Sequence, residues 1–149
     1  MRAILAKSKN NVLGNGLEIP WMGKYPQDMK FFREMTTNGV VIMGYNTWKS
    51  LGKPLKNRLN VVISREEKEG DVIFTRDLDL DKLEKLSGKN RSEFWVIGGL
   101  KTYEKYKDQI TEFYVTEIPE EVQGDVILPK DFFKGLTREH IRDIFWKYS

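Results

Sequence analysis

Short apolar runs typical of buried strands alternate along this chain with segments whose apolar residues recur at helical spacing. Strands are predicted at 3–6, 40–43, 60–64, 72–74, 94–97 and 112–117. Helices are predicted at 26–35, 47–51, 79–86 and 100–106. This order predicts an α/β fold with a mainly parallel central sheet and helices on both faces. Because the last third lacks helical patterns between its strands, 113–118 and the segment after Thr137 are expected to add antiparallel edge strands.

Composition limits the class of protein. A chain of 149 residues, 40% hydrophobic and 32% charged, is predicted to form one compact domain. With no cysteine and a single histidine, His140, a disulfide framework, a thiolate nucleophile and a zinc site of Cys and His ligands are excluded, and no metal is expected. No apolar run approaches the roughly 20 residues of a membrane span, and the N-terminal apolar run is too short for a signal peptide. A cytoplasmic protein is therefore expected.

Positive charge is concentrated in the first part of the chain. Residues 1–65 carry 11 Lys and Arg against 3 Asp and Glu. The cations are scattered and are not interleaved with aromatic residues, so a nucleic-acid surface is disfavoured. Two interpretations remain, a solvated face and a site for a small, multiply anionic ligand.

Two segments have the form strand, glycine, helix start. Gly44 follows the strand at 40–43 and precedes Thr47, a candidate N-cap, while Gly98 and Gly99 lead directly into the helix at 100–106. Each alone is typical of a tight turn, and neither is a GxGxxG or Walker motif. Two such turns at the carboxyl ends of parallel strands would suit the pyrophosphate of a dinucleotide, because glycine admits close approach and helix N-termini attract phosphate.

Asp28 is the candidate carboxylate for chemistry. On the predicted helix it shares a face with Phe31, Phe32 and Met35. It could simply complement the helix dipole in the first turn. Alternatively, partial desolvation raises its pKa and the apolar wall presents it to a heterocycle, as a hydrogen-bond anchor or in proton transfer.

The stretch 10–24 is long for a plain connection. It contains three glycines and places Pro20 beside Trp21, with little periodicity. Such loops are typical of lids or binding loops, and a disordered excursion is the alternative.

Eight ordered motifs extend along the chain to about Pro129. They are Ile19-Pro20-Trp21; Asp28 with Phe32; Val41-Ile42-Met43-Gly44-Tyr45-Asn46-Thr47-Trp48; Pro54-Leu55; Arg58; Val62-Ile63-Ser64-Arg65; Val96-Ile97-Gly98-Gly99 with Tyr103; and Tyr114-Val115-Thr116 followed by Gly124-Asp125. In this order they resemble the dihydrofolate reductase family.

The resemblance implies the reduction of 7,8-dihydrofolate to 5,6,7,8-tetrahydrofolate by NADPH, with hydride to C6 and a proton to N5, in support of one-carbon metabolism and thymidylate synthesis. The cofactor carries the chemistry, and the protein supplies orientation and electrostatics. Asp28 is implied as the acid of the pterin pocket, supported by Thr116, and Trp21 as the residue that closes the pocket. Arg58 is implied to bind the glutamate α-carboxylate, assisted by Lys53. The remaining substrate-binding residues implied are Ile4, Ala6, Phe32, Leu51, Leu55, Ile97 and Tyr103.

For NADPH, the resemblance implies a pyrophosphate site at the Gly98–Gly99 turn and Thr47, and a 2′-phosphate site at Ser64, Arg65 and Arg76. The other implied contacts are Ala6, Leu13, Gly44, Asn46, Ile97, Leu100, Lys101 and Thr102. The Gly98–Gly99 peptide is expected to be cis, and residues 39–88 are expected to form an adenosine-binding lobe that rotates slightly on the rest.

The chain departs from the family pattern at three places. Tyr45 and Asn46 follow Gly44 where many members carry basic residues, so part of the phosphate contact is missing, and Leu100 replaces the usual third glycine. Only about twenty residues follow Pro129, so one of two C-terminal strands is expected to be shortened or absent.

Two other functions are open. A same-fold reductase acting on another pterin or a pyrimidine is expected to lack the pair Asp28 and Arg58, and a non-catalytic folate- or nucleotide-binding module would bind without turnover. The expected partner is a small-molecule substrate, with neither nucleic acid nor membrane, and the expected state is a monomer.

Overall fold

The computed structural model describes residues 1–13, 19–21, 23–65 and 72–149. Across these ranges the strands are β1 (Arg2–Ser8), β2 (Val40–Gly44), β3 (Leu59–Ile63), β4 (Ile73–Thr75), β5 (Phe94–Gly98), β6 (Glu112–Ile118), β7 (Arg138–Arg142) and β8 (Phe145–Tyr148). The α-helices are α1 (Pro26–Thr36), α2 (Tyr45–Leu51), α3 (Leu80–Ser87) and α4 (Leu100–Lys105). Single 3₁₀ turns span Arg91–Glu93 and Lys107–Gln109.

One sheet contains these strands in the order β4-β3-β2-β5-β1-β6-β8-β7. The strands from β4 to β6 pair in parallel. β8 runs antiparallel to β6, and β7 antiparallel to β8. The predicted α/β fold with a mainly parallel sheet is thereby confirmed.

The C-terminal third tests two expectations and corrects one of them. β6 is not an antiparallel edge strand, because it pairs in parallel with β1 over seven residues and lies inside the sheet. The helix that decides its direction is α4, which precedes it and carries the chain back across the sheet. Both C-terminal strands are present, so of the two expected alternatives, a shortened or an absent strand, only the shortened one remains. β7 has five residues and β8 four, and a turn at Asp143 and Ile144 joins them into a hairpin.

Side chains of the sheet belong to two apolar clusters, one on each face. In β1, Ala3 and Leu5 belong to the cluster beneath α3 and α4, while Ile4 belongs to the cluster beneath α1 and α2. This split follows from the two-residue period of a strand. The prediction of helices on both faces is therefore confirmed. On the α1 side, Phe31 stacks on Phe145 with the ring centroids 4.1 Å apart.

Helix ends agree with the sequence except at α2. Pro26 is at the start of α1, as its fixed φ favours, and the Asp79 side chain accepts the Lys82 N–H at 3.1 Å to cap α3. The predicted N-cap Thr47 is wrong. Gly44 takes an extended conformation and acts as the N-cap, so α2 begins directly at the end of β2 and Thr47 lies inside it. None of the helices in the described ranges is both long and apolar enough to span a membrane.

Candidate active site

The first turn of α1 and the end of β6 bring Asp28 and Thr116 together. The hydroxyl of Thr116 donates to Asp28 Oδ1 at 2.7 Å. Thr116 is buried, and its side chain points toward the α1 face because it alternates with Val115, which belongs to the opposite cluster. No side-chain hydrogen bond caps α1 at Tyr25. The carboxylate of Asp28 is therefore directed toward the sheet, where Thr116 binds it.

Burial raises the pKa of the Asp28 carboxyl above its ordinary value. The hydrogen bond from Thr116 opposes this and lowers it, as does the neighbouring Trp21 side chain. Trp21 is only 4% exposed, and its Nε1 has no hydrogen-bond partner of ordinary length among the described residues. Its N–H therefore favours the charged form of Asp28 without making a hydrogen bond of ordinary geometry to it. A buried donor of this kind beside a carboxylate fits a polar ligand, which would satisfy it.

An apolar wall continues from Asp28 along the α1 and α2 face of the sheet. The predicted pocket residues that contribute to this cluster are Ile4, Phe32, Leu51, Leu55 and Ile97. Ala6 has the same orientation as Ile4 and pairs with Thr116 across β1 and β6. The structure therefore brings most of the predicted pterin wall together on one face.

Two predicted residues lie on the other face. Tyr103 is in the α4-side cluster, and its hydroxyl donates to the Ile4 carbonyl at 2.7 Å. Burial strongly raises the pKa of Tyr103, so its hydroxyl stays protonated. Leu13 is in the same cluster, and its N–H donates to the Val126 carbonyl at 2.8 Å. The Tyr103 hydroxyl thus contacts the backbone of β1, and it also lies 3.8 Å from the position that a Cβ on Gly98 would take.

Arg58 lies near the last turn of α1. Its Nη1 donates to Thr36 Oγ1 at 3.1 Å, its Nε donates to the Lys56 carbonyl at 2.8 Å, and its guanidinium lies 5.9 Å from the Phe32 ring centroid. Burial lowers the pKa of Arg58, but a guanidinium remains charged. Asp28 and Thr36 are eight residues apart on the helix, so about 12 Å separates the acidic and basic ends along its axis.

Asn60 supports this end of the site and was not among the sequence predictions. It is buried at the start of β3, where its Oδ1 accepts the Leu55 N–H and its Nδ2 donates to the Leu55 carbonyl, both at 2.9 Å. Its Nδ2 also donates to the Arg58 carbonyl at 3.0 Å. The sequence feature that could have indicated this role is a polar residue near the start of an otherwise apolar strand. Lys53, by contrast, is exposed beyond α2.

The two strand-glycine-helix turns lie side by side, as predicted. β2 and β5 are adjacent, with Met43 opposite Gly98, and the Gly98–Gly99 peptide is cis, which confirms that expectation. Gly98 has φ of +141°, and a Cβ there would lie 3.0 Å from Thr47 Oγ1. At Gly44 a Cβ would lie 2.8 Å from Thr102 Oγ1. Both glycines are therefore required by close approach between the turns.

A separate cavity of about 420 Å³ opens where β3 and β4 end. Its lining residues are Ile63, Ser64, Arg65, Arg76 and Lys105. Arg76 Nε donates to the Arg65 carbonyl at 3.0 Å, which joins the two strand ends. Three of these residues were predicted for the 2′-phosphate. Lys105 was missed, although it follows Lys101 by four residues and so shares its helix face.

The remaining predicted cofactor residues surround the glycine turns. Asn46 and Lys101 are exposed on α2 and α4, whereas Thr102 is buried and Leu100 packs against the α4-side cluster. The predicted lid falls partly outside the described residues, which omit 14–18 and residue 22. Within the described ranges, no three His, Asp or Glu side chains are grouped as a metal site.

Comparison with known proteins shows the family of this chain. The sequence model of the family described as "Dihydrofolate reductase" matches residues 1–142. Dihydrofolate reductase of Haemophilus influenzae is 35% identical over 138 residues, covering 85% of this chain and 77% of that protein. The enzyme of Buchnera aphidicola subsp. Acyrthosiphon pisum is 36% identical over 141 residues, covering 91% and 85%.

Among solved structures, dihydrofolate reductase from Enterococcus faecalis, complexed with NADP(H) and RAB-propyl, superimposes with a TM-score of 0.74. The match covers 99% of this chain and 94% of that one at 23% identity, so it compares the folds. The family match and the curated relatives go further, because both extend over most of the sequence. The chain therefore belongs to the dihydrofolate reductase family, the NADPH-dependent oxidoreductases that reduce dihydrofolate.

Proposed function

We propose that this chain performs the family reaction, the reduction of 7,8-dihydrofolate to 5,6,7,8-tetrahydrofolate with NADPH, in the cleft between α1 and the sheet. The observation that carries the assignment of residues is the 2.7 Å hydrogen bond between Thr116 and Asp28 at the end of an apolar wall. It supplies one oriented carboxylate to an otherwise nonpolar pocket. Such a pocket suits a flat heterocycle with an amidine edge.

Asp28 binds the pterin and favours its protonation. The carboxylate accepts hydrogen bonds from the 2-amino group and N3, while Thr116 fixes Oδ1. Its negative charge stabilises the substrate once N5 is protonated, and the apolar surroundings strengthen that attraction by excluding water. When bound, NADPH supplies the hydride that reaches C6. The C6–N5 double bond becomes a single bond, with the added hydride on C6 and the added proton on N5.

The rest of the cleft orients the substrate. Trp21 closes it beside Asp28. Its buried N–H donates a hydrogen bond to the substrate or to a bridging water. Phe32 and Leu55 contact the rings. Arg58, which contacts Thr36 about 12 Å along α1 from Asp28, pairs with the glutamate α-carboxylate.

The residues present fit NADPH. The closely approaching glycine turns leave backbone N–H groups and the Thr47 hydroxyl for the pyrophosphate, since neither Gly44 nor Gly98 admits a side chain. The cationic cavity at the ends of β3 and β4 fits a 2′-phosphate through Ser64, Arg65 and Arg76.

Turnover tests the proposal. Purified protein is mixed with NADPH and dihydrofolate, the absorbance of the reduced cofactor is followed, and tetrahydrofolate is identified by mass spectrometry. Parallel reactions use a dihydropterin without the glutamate tail and a dihydropyrimidine. We expect oxidation of NADPH that depends on dihydrofolate. Tight binding without turnover would instead indicate a binding module, and turnover confined to another heterocycle would indicate a different reductase.

We also propose that the enzyme is a cytoplasmic monomer acting on small molecules, with residues 39–88 forming an adenosine-binding lobe. That range contains β2, α2, β3, β4 and α3 and therefore includes the cationic cavity's Arg65 and Arg76. Size-exclusion chromatography with light scattering tests the monomer. Crystal structures with and without NADP⁺ test whether this lobe rotates as a unit.

A further inference from the structure

Lys105 places a third cation at the cavity where β3 and β4 end. Arg65 and Arg76 reach this cavity from the strand ends, whereas Lys105 reaches it from the last residue of α4. The lining thus carries three positive side chains and no carboxylate among the described residues. Like charges gathered at one cavity repel one another, and a multiply charged anion relieves that repulsion.

Two neighbours hold the Lys105 side chain. Its Nζ lies 2.9 Å from Asp77 Oδ1, and it lies 5.4 Å from the centroid of the Tyr106 ring. Asp77 follows Arg76 directly, so this ion pair ties the end of α4 to the segment after β4 that carries one of the other cations. Lys105 lines the cavity and Asp77 does not, so the ion pair fixes a lining side chain from a residue outside the lining.

The position of Lys105 indicates which phosphate of the cofactor it contacts. α4 begins at the Gly98–Gly99 turn, where the pyrophosphate is proposed to bind. Lys105 lies six positions after Gly99, about 9 Å along the helix axis. Lys105 is therefore displaced from the proposed pyrophosphate site and lines the same cavity as Arg65 and Arg76, the residues proposed to bind the 2′-phosphate.

We propose that Lys105 is a specificity residue for the 2′-phosphate of NADPH, held in position by Asp77 and acting together with Arg65 and Arg76. This inference rests on the proposed function for the identity of the nucleotide. A phosphate monoester carries nearly two negative charges at neutral pH, so it gains from each ammonium or guanidinium in contact with it. Adenosine without this phosphate gains nothing from Lys105.

Binding of two nucleotide fragments tests the proposal without catalysis. Isothermal titration calorimetry compares 2′,5′-ADP with 5′-AMP, which differ only in the 2′-phosphate. The proteins are the wild type, Lys105→Gln, Lys105→Arg and the control Lys107→Gln, which removes the same charge two residues away from a side chain outside the cavity lining.

We expect the wild type to prefer 2′,5′-ADP and Lys105→Gln to lower that preference about five- to tenfold, which corresponds to about 1–1.4 kcal/mol. Binding of 5′-AMP should change little. Lys105→Arg should retain the preference because it keeps the charge, and Lys107→Gln should match the wild type.

Three results would overturn the proposal: no wild-type preference, an unchanged preference in Lys105→Gln, or equal losses for both fragments. Equal losses would mean that Lys105 only supports α4, and thermal melting of each variant identifies that structural effect. The dihydrofolate assay on the wild type is scored separately. Normal turnover with an unchanged nucleotide preference refutes this inference alone, whereas the expected preference without turnover refutes the proposed function and leaves the phosphate site standing.

Discussion

Replacing Asp28 by Asn tests the centre of the proposed mechanism. The amide keeps the shape of the side chain and can still accept a hydrogen bond from Thr116, whose hydroxyl lies 2.7 Å from Oδ1. What it removes is the negative charge that favours a protonated N5. Loss of a group that assists proton transfer costs about 10²-fold in rate, equivalent to roughly 2.7 kcal/mol of transition-state stabilisation. We therefore expect Asp28→Asn to slow hydride transfer by about 10²-fold at pH 7.

The pH dependence of the variant gives a second test. As pH falls, more dihydrofolate is already protonated by solvent, so the missing carboxylate matters less. The rate of Asp28→Asn should rise about tenfold for each pH unit below 7 until the substrate itself is protonated. The gap between the variant and the wild type therefore closes in acid.

Stability should move in the opposite direction from activity. Burial raises the pKa of Asp28 in the folded protein, so folding favours the protonated form and ionisation at neutral pH costs stability. This cost develops as pH rises from the ordinary aspartate value through the raised folded value. Asp28→Asn should therefore melt no lower than the wild type at pH 7. If Asp28 serves only the helix dipole, its removal should instead cost about 0.3–1 kcal/mol.

Single-turnover stopped-flow measurements with NADPH and its deuterated form isolate hydride transfer through the isotope effect. Glu34→Gln is the matched control, because it removes one charge from the same helix at an exposed ion pair with Arg142. It should leave the rate unchanged. An Asp28→Asn protein that melts lower but transfers hydride normally at pH 7 would refute the mechanism and assign Asp28 a structural role.

Four further predictions address other parts of the molecule. Thr116→Val removes the donor that lowers the pKa of Asp28, so the pH profile of single-turnover hydride transfer should shift upward; an unchanged profile argues against coupling. Arg58→Ala should raise the KM for dihydrofolate by about 10–100-fold and spare a pterin without the tail, whereas equal effects would reject the carboxylate contact. Arg65→Ala should weaken NADPH by about 10–100-fold with NADH nearly unchanged in fluorescence titrations, and parallel losses would place Arg65 elsewhere. Phe145→Ala removes a buried, stacked ring and should lower the free energy of unfolding in urea by about 3–5 kcal/mol; a loss below 1 kcal/mol contradicts its packing role.

Strands buried on both faces were the most predictable elements. Val40, Val41, Ile42 and Met43 are all fully buried, and such continuous apolar runs are typical of the interior of a parallel sheet. The direction of β6 was not predictable from its own residues, because a strand's direction depends on the connection that precedes it. The start of α2 was missed for a related reason. Thr47 has the better capping side chain, but the backbone of Gly44 already provides the cap.

The site divides in the same way. The face that Asp28 shares with Phe32 follows from helical spacing and was visible in the sequence. Its partner Thr116 is 88 residues away and was assigned through the family resemblance. Lys105 was not assigned at all. Its place in the cavity depends on where the end of α4 lies against β3 and β4. Tertiary packing sets that position, and the local sequence around Lys105 does not indicate it.

The central position of β1 has a consequence for biosynthesis. Its neighbours are β5 and β6, and Arg2 pairs with Glu112, 110 residues farther along the chain. Pairings of this range make folding slow, since the entropy of loop closure must be lost before the contacts form. At a translation rate of roughly 5–20 residues per second, β6 is synthesised about 6–20 s after β1. Ile4 and Leu5 remain without this partner strand during that time. During synthesis this first strand is therefore the segment most available to chaperones and to aggregation.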